Sequence, residues 1–174
     1  MRSTLLLATA IVFAGCSRFG GKTSVATAAA TPEAILTASL QCAASDESLS
    51  ALAARKGRLP ETRQFGESMG REATALRAEL AALAERRKLP AADLAEKQVA
   101  LRQNLDILPG QVFDRGYSLA MVQDLTATIT RLDAAHDQEL AAIGARHKTA
   151  LTEQLKLANA TLDRLGGSPF GFVP

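Results

Sequence analysis

The sequence predicts an all-α protein: a bundle of four long helices, with one short extra helix between the second and third. Ala (34) and Leu (25) supply about a third of the 174 residues, and both are good helix formers. Aromatic residues are scarce, with six Phe, one Tyr and no Trp, which disfavours an all-β sandwich or barrel. Apolar residues also recur at spacings of three and four over long stretches that prolines separate, as amphipathic helices require.

The charge balance and the motifs exclude several classes of function. The sequence has 20 basic and 18 acidic residues. Because this charge is nearly balanced, no nucleic-acid partner is expected. Two cysteines cannot build a disulfide-rich scaffold. The sequence contains no glycine-rich phosphate loop, Cys-x-x-Cys pair or serine nucleophile motif, and no catalytic residue is predicted.

The N-terminus predicts export. Arg2 precedes the apolar run Leu5–Phe13, which is shorter than the roughly 20 residues that span a bilayer and fits a signal peptide over residues 1–15. Small residues then precede Cys16, in an arrangement that resembles the bacterial lipobox, whose cysteine is lipidated. The alternative is an ordinary cleaved signal followed by a chance cysteine.

Lipidation of Cys16 would anchor the chain to a membrane, since several acyl chains hold a protein stably. By resemblance to lipoprotein sorting, Ser17 favours the outer membrane, with the protein facing the periplasm or lying at the cell surface. The Gly-, Ser-, Thr- and Ala-rich residues 16–31 predict a flexible tether. The bundle domain is expected over residues 32–165, followed by a mobile tail, 166–174.

The first two long helices have clear signals at both ends. Thr31 and Pro32 predict a cap and first turn, and Gly57 predicts the end. Pro60 opens the second helix, and the basic cluster near Arg86 closes it. The apolar stripe of the first helix is predicted at Ile35, Ala38, Cys42, Leu49 and Leu52, with Ser45 filling a gap. That of the second is predicted at Phe65, Met69, Ala73, Leu76, Leu80 and Leu83.

The short helix is predicted to begin between Pro90 and Asp93 and to end at Pro109–Gly110. Its expected apolar positions are Leu94, Val99 or Leu101, and Leu105.

The stretch from Gln111 to Leu165 could form one rod of about 50 residues or two helices that fold back on each other. A fold-back at Asp133–Asp137, with Asp137 as the new cap, is favoured because a rod would leave half its stripe without a partner. The two stripes are predicted at Tyr117, Met121, Leu125, Thr128 and Leu132, and at Leu151, Leu155, Ala158, Leu162 and Leu165.

The third helix also carries a family resemblance. The runs Gln111–Tyr117 and Met121–Asp124 resemble the most characteristic stretch of the bacterial "predicted outer membrane protein" family (domain of unknown function 4142). That stretch reads Gly-x-x-Phe-Asp-x-x-Tyr, then Met-Val-x-Asp-His. Three further segments fall where the family pattern puts them: Leu52–Ala54, Met69 and Leu151–Ala158. The resemblance covers about residues 32–162 and implies a ferritin-like four-helix bundle in the bacterial envelope, of unestablished biochemical role.

Ferritin-like bundles can hold two metal ions between carboxylates and histidines. The resemblance places an acid in the first helix and acid–histidine pairs in the other three. Here those positions are Asp46 or Glu47, Glu72–Ala73, Asp124–Leu125 and Glu153–Gln154. The acids remain and all three histidines are replaced, so a di-iron or di-manganese site at Asp46, Glu72, Asp124 and Glu153 is disfavoured and no cofactor is expected. Glu72, Asp124 and Glu153 are expected to be surface or flanking groups.

Three other residues carry candidate chemistry. His136 and His147, the only histidines, are expected to be solvated. Cys42 is expected to be a buried, inert thiol, with an intermolecular disulfide as the alternative.

Three functions therefore compete. The first is a non-catalytic envelope lipoprotein that acts through packing or an envelope protein partner. The second is a metal-binding or ferroxidase-type bundle that uses the retained acids. The third is a protein that self-associates through exposed apolar stripes.

Overall fold

The computed structural model of the chain describes residues 31–92 and 94–166, and five helices contain most of them. The helices are α1 (Pro32–Lys56), α2 (Pro60–Arg86), α3 (Glu96–Ile107), α4 (Gly110–Asp133) and α5 (Gln138–Arg164). No strand occurs in these two ranges, so the predicted all-α class is confirmed. The predicted signal peptide, most of the predicted tether and nearly all of the predicted tail, together with Asp93, lie outside the described residues.

The predicted helix ends agree closely with those observed. Thr31 Oγ1 accepts a hydrogen bond from the Ala34 amide at 3.2 Å, and the Gly57 amide donates to the Ala53 carbonyl at 2.8 Å. Asp137 Oδ1 accepts from the Leu140 amide at 3.0 Å, which confirms the fold-back between α4 and α5. Each of these signals is local, because a cap depends on side chains within one turn of the helix end.

The short helix α3 begins later than predicted, at Glu96. The Ala95 amide donates to Gln98 Oε1 at 3.0 Å, so a glutamine in the first turn reaches back to the free amide before the helix. A glutamine at this position satisfies one of the amides that every helix start leaves unpaired.

The connection between α2 and α4 crosses the full length of the bundle. Near the start of α4, Asp114 bonds to the turn between α1 and α2. At the other end, Arg87, just after α2, bonds to Asp137 at the start of α5. Residues 87–109, which include α3, therefore run from one end of the bundle to the other. A single long crossover is the connectivity of ferritin-like bundles.

The four long helices form a ring in which α1 contacts α2 and α4, and α5 contacts α2 and α4. The predicted stripes of α2 and α4 are fully buried, and those of α1 and α5 are buried in part. The largest side chains with under 2% exposure include Phe113, Tyr117, Met69, Met121, Leu80 and Leu125. These side chains fill the interior between the four helices with apolar groups.

The first three predicted positions of the α1 apolar stripe each precede the buried position by one residue. Ile35, Ala38 and Cys42 are half-buried, whereas the buried positions of α1 include Leu36, Ser39, Ala43, Asp46 and Ser50. Small residues on this face let α2 approach closely. A Cβ atom placed on Gly66 would lie 2.8 Å from the Ser50 carbonyl oxygen and 2.7 Å from the Ala54 nitrogen.

No described helix combines the length and the hydropathy needed to cross a membrane.

Candidate functional site

Asp46 is the most unusual polar group in the described part of the bundle. It lies on α1 with 1% of its surface exposed, and its Oδ1 atom has no hydrogen-bond partner. Burial raises its pKa well above the ordinary value, and the charge of Asp124 raises it further, because an isolated carboxylate is costly to remove from water. The environment therefore favours the protonated form of the Asp46 carboxyl.

Asp124 faces this carboxyl from α4 and is only half-buried. Burial raises its pKa, while the charges of Lys97 and Arg131 oppose the shift. Burial therefore raises the pKa of both carboxyls, and the charge of Asp124 adds to the shift at Asp46 because like charges disfavour ionisation of both.

Arg131 and Cys42 complete the α1–α4 cluster, which we define as Cys42, Asp46, Asp124 and Arg131. The Arg131 guanidinium donates to Cys42 Sγ at 3.7 Å. Burial nevertheless raises the pKa of the Cys42 thiol, so the reactive thiolate is disfavoured. Cys42 is a half-buried free thiol, less buried than expected, and the intermolecular disulfide remains a prediction.

Glu47, the alternative to Asp46 as the candidate acid of the first helix, lies at the surface between α1 and α2. Glu47 accepts hydrogen bonds from Arg77 at 2.7 Å and Thr74 at 3.0 Å. The bond from Arg77 is the main reason that the pKa of Glu47 is lowered. Asp46, rather than Glu47, is therefore the interior acid of α1.

Glu72 lies across the bundle, between α2 and α5. Its Oε1 atom is 2.6 Å from His147 Nδ1, and His147 Nε2 is 3.1 Å from Glu79 Oε1. His147 is 7% exposed, so the expectation of a solvated histidine was wrong for this residue, although His136 is exposed. Both ring nitrogens can donate to carboxylates only when the imidazole is protonated. The three side chains form an interhelical link.

Glu153 is a surface residue of α5. Its side chain is 60% exposed and pairs with Lys156 at 2.8 Å. The neighbouring Gln154 points toward α2, where its Oε1 accepts from Ser68 Oγ at 2.9 Å. The expectation of a surface acid therefore fits Glu153, whereas Asp124 and Glu72 are half-buried and interact with other helices.

The four candidate acids do not come together. Asp46 and Asp124 are neighbours on α1 and α4, Glu72 is bound to His147, and Glu153 is at the surface. Ala73 and Leu125, at two of the positions where the family resemblance implies histidines, are 0% exposed and belong to the core. Across residues 31–92 and 94–166, no group of three or more His, Cys, Asp or Glu side chains could hold a metal ion. These residues do not fit a di-metal centre, which needs several converging donors.

The run Phe113–Tyr117, the core of the family resemblance, has a structural role. The buried Asp114 carboxyl accepts from the Arg58 amide at 2.9 Å and the Leu59 amide at 3.0 Å, and so fixes the turn between α1 and α2. Tyr117 Oη lies 3.1 Å from Ser50 Oγ, and its ring packs against Phe113 and Phe65. This motif therefore fixes α4 against α1 and α2.

Two polar contacts were missed from the sequence. Asp114 was recognised only as part of a motif, and His147 was assigned to solvent. A partial signal existed for His147, because Glu72 and Glu79 are seven residues apart and so share a face of α2. The partner helix and its register could not be read from that spacing. The predicted lipidation site, Cys16, lies outside the described residues.

Comparison with known proteins identifies the family of the chain. No curated protein and no solved structure matches the chain. Residues 20–161, most of the chain, match the family described as Domain of unknown function (DUF4142). The chain therefore belongs to the DUF4142 family.

Proposed function

We propose that the chain is a cell-envelope lipoprotein whose helical bundle acts through contacts with partners rather than through catalysis. The observation that carries this proposal is the packing at Ala73 and Leu125, which are both 0% exposed within the apolar core. Alanine and leucine side chains at these two positions exclude water and offer no ligand atoms there.

Attachment to a membrane through Cys16 is the second part of the proposal. Its support is the sequence: an apolar run of signal-peptide length, small residues before Cys16, and a small-residue segment that leads to Thr31. Thr31 caps α1, so a tether from Cys16 would join the bundle directly at its first helix.

Metabolic labelling with an alkyne fatty acid tests the anchor. The full chain and a Cys42→Ala variant should incorporate label and float with membranes, whereas Cys16→Ala should do neither. Equal labelling of all three proteins would contradict the anchor, because Cys42 is the only other cysteine in the chain.

The competing proposal is a metal-binding or ferroxidase-type protein. Its support is the pair of Asp46 and Asp124, one of which has a buried oxygen without a hydrogen-bond partner. Against it stand the separate locations of Glu72 and Glu153.

Metal analysis separates these two proposals. The full chain, purified in mild detergent from cells supplied with iron, manganese and zinc, should contain less than stoichiometric metal and show no turnover with ferrous iron or peroxide. Stoichiometric metal that is lost in an Asp46→Asn, Asp124→Asn variant and retained in Glu153→Gln would overturn the non-catalytic proposal.

A further inference from the structure

The turn between α3 and α4 carries two strongly exposed apolar side chains. Ile107 is 80% exposed and Val112 is 58% exposed, the two highest values among the four large apolar side chains exposed in residues 31–92 and 94–166. Pro109, which lies between them in the chain, is also exposed. A side chain with 80% of its surface exposed projects into solvent instead of lining a groove, so a partner would have to surround it. Clustered apolar exposure of this kind is a feature of interaction sites.

Basic side chains of the α1–α2 turn lie beside this apolar turn. Lys56 Nζ donates to the Asp106 carbonyl oxygen and is 5.5 Å from the centre of the Phe113 ring. A Cβ atom placed on Gly110 would lie 3.5 Å from both Cδ and Nη1 of Arg58, so the Arg58 side chain lies against the α3–α4 turn. The two turns therefore form one surface at this end of the bundle.

Positive charge predominates on this surface, the basic tip, which we define as residues 55–58 and 106–112. Its charged residues are Arg55, Lys56, Arg58 and a single acid, Asp106. Lys56 pairs with Asp106 at 3.7 Å, whereas Arg55 and Arg58 are exposed and form no ion pair with another described residue. The nearby Asp114 is buried, and its carboxyl accepts two backbone amides. Two guanidinium groups are therefore accessible to an anionic partner.

The opposite end of the bundle uses its basic residues differently. There Arg86 pairs with Glu139 at 2.9 Å, and Arg87 pairs with Asp137 at 2.7 Å, so both guanidinium groups are already neutralised within the chain. That end also contains Thr31, to which the predicted tether leads. Helix α1, with 25 residues, separates Thr31 from the basic tip by about 37 Å at 1.5 Å per residue.

We propose that the basic tip binds the surface of an anionic phospholipid bilayer, with Ile107 and Val112 below the headgroups and Arg55 and Arg58 at the lipid phosphates. Guanidinium groups bind phosphate oxygens well, and basic residues are attracted to anionic membrane surfaces. Acyl chains can surround a projecting isoleucine and remove it from water. The contact adds a ligand and a surface to the proposed function and does not depend on the lipid anchor, which is predicted at the opposite end.

Tryptophan fluorescence tests the insertion site by site. The chain contains no tryptophan, so a single introduced tryptophan reports only its own surroundings. The full chain with Cys16→Ala, which removes the predicted lipidation site, is the common background. On addition of phosphatidylglycerol vesicles, the emission of Ile107→Trp should shift to shorter wavelength and be quenched by brominated acyl chains. Ala75→Trp, at an exposed position in the middle of α2, is the matched control and should show neither change.

Charge reversal tests the contribution of the guanidinium groups. Added to Ile107→Trp, Arg58→Glu should raise the lipid concentration that gives half the emission shift by about tenfold or more. Arg71→Glu makes the same change of charge at an exposed position on α2 and should raise it by less than about twofold. Added salt should weaken binding of the parent variant, because ions screen the attraction. Circular dichroism should show unchanged helix content in every variant.

An unchanged emission of Ile107→Trp with phosphatidylglycerol vesicles would overturn the proposal. So would an equal shift with vesicles of phosphatidylcholine alone, or equal effects of Arg58→Glu and Arg71→Glu. A shift with soluble polyglutamate but not with vesicles would also overturn it, because the basic tip would then fit an acidic protein instead of a membrane.

Discussion

The α1–α4 and α2–α5 interfaces of the bundle differ in the surroundings of their acidic residues. Between α2 and α5, Glu72 and Glu79 lie beside His147, and Arg146 also bonds to Glu79. Between α1 and α4, Asp46 is buried beside another acid, Asp124, and one of its oxygens lacks a hydrogen-bond partner. Glu79 is stabilised as an anion, whereas burial favours the neutral form of Asp46 and Asp124.

The pKa directions express this contrast. The bond from Arg146 is the main cause that lowers the pKa of Glu79, and the bond from Arg87 is the main cause for Glu139 and Asp137. Burial raises the pKa of both Asp46 and Asp124. The acids between α2 and α5 therefore stabilise the packing of the two helices. Burial of Asp46 and Asp124 between α1 and α4 instead destabilises the fold when these groups ionise. Buried sites of this kind are candidates for function.

The largest effect is expected at Asp114, a second buried aspartate that differs from Asp46 in being fully bonded. Asp114→Ala should lower the free energy of unfolding by about 2–4 kcal/mol, because two partly buried amides in the turn between α1 and α2 would lose their charged acceptor. Urea denaturation followed by circular dichroism measures this. A loss below about 0.5 kcal/mol would show that these two hydrogen bonds do not stabilise the turn.

His147→Ala should weaken the α2–α5 interface by about 2 kcal/mol, since it removes two bonds to carboxylates and leaves a gap in a half-buried contact. His136→Ala, which replaces the other histidine of the chain, is the matched control. It should change stability by less than about 0.5 kcal/mol, because His136 is exposed. Equal effects of the two substitutions would restore the original expectation of two solvated histidines.

Asp46→Asn should have the opposite sign and stabilise the protein by about 1–2 kcal/mol at pH 8. The substitution keeps the side-chain volume and replaces a carboxyl that folding must either protonate or bury as a charge beside Asp124. Thermal unfolding of the two proteins at the same pH measures the difference. A large destabilisation would mean that the Asp46 carboxylate has a partner of its own.

The smallest effect is expected at Glu153, although the family resemblance also makes it a candidate ligand. Glu153→Gln should change stability by less than about 0.5 kcal/mol, because its ion pair with Lys156 is exposed to water. Metal content should not change either. A loss of bound metal from this variant would return Glu153 to a functional site.

The sequence was informative where the determinants are local. Thr31, Gly57 and Asp137 cap or end helices through contacts within one turn, and the stripes of α2 and α4 consist of large apolar side chains at regular spacing. On α1, by contrast, the buried face carries Ser39, Ser50 and Asp46. A periodicity based on apolar residues therefore selected the neighbouring face.

The candidate site was harder to predict because it depends on how different helices meet. Asp46 and Asp124 are 78 positions apart in the chain and become neighbours only through the packing of α1 on α4. His147 finds Glu72 only in the observed register of α2 and α5. The family resemblance identified the acids, but it could not show that Ala73 and Leu125 fill the core instead of leaving room for ligands.

The pH dependence of stability of the wild-type chain and Asp46→Asn, in the presence of a chelator, tests the central claim most directly. Because the folded state raises the Asp46 pKa, folding binds a proton that the unfolded chain releases above about pH 4. This stabilisation is complete below the unfolded pKa and is lost as pH rises through the folded-state pKa. Wild type should therefore lose stability relative to Asp46→Asn as pH rises from 4 to 8. A constant difference, or a wild-type chain that gains stability over Asp46→Asn at pH 8, would contradict the raised pKa of the buried Asp46 carboxyl.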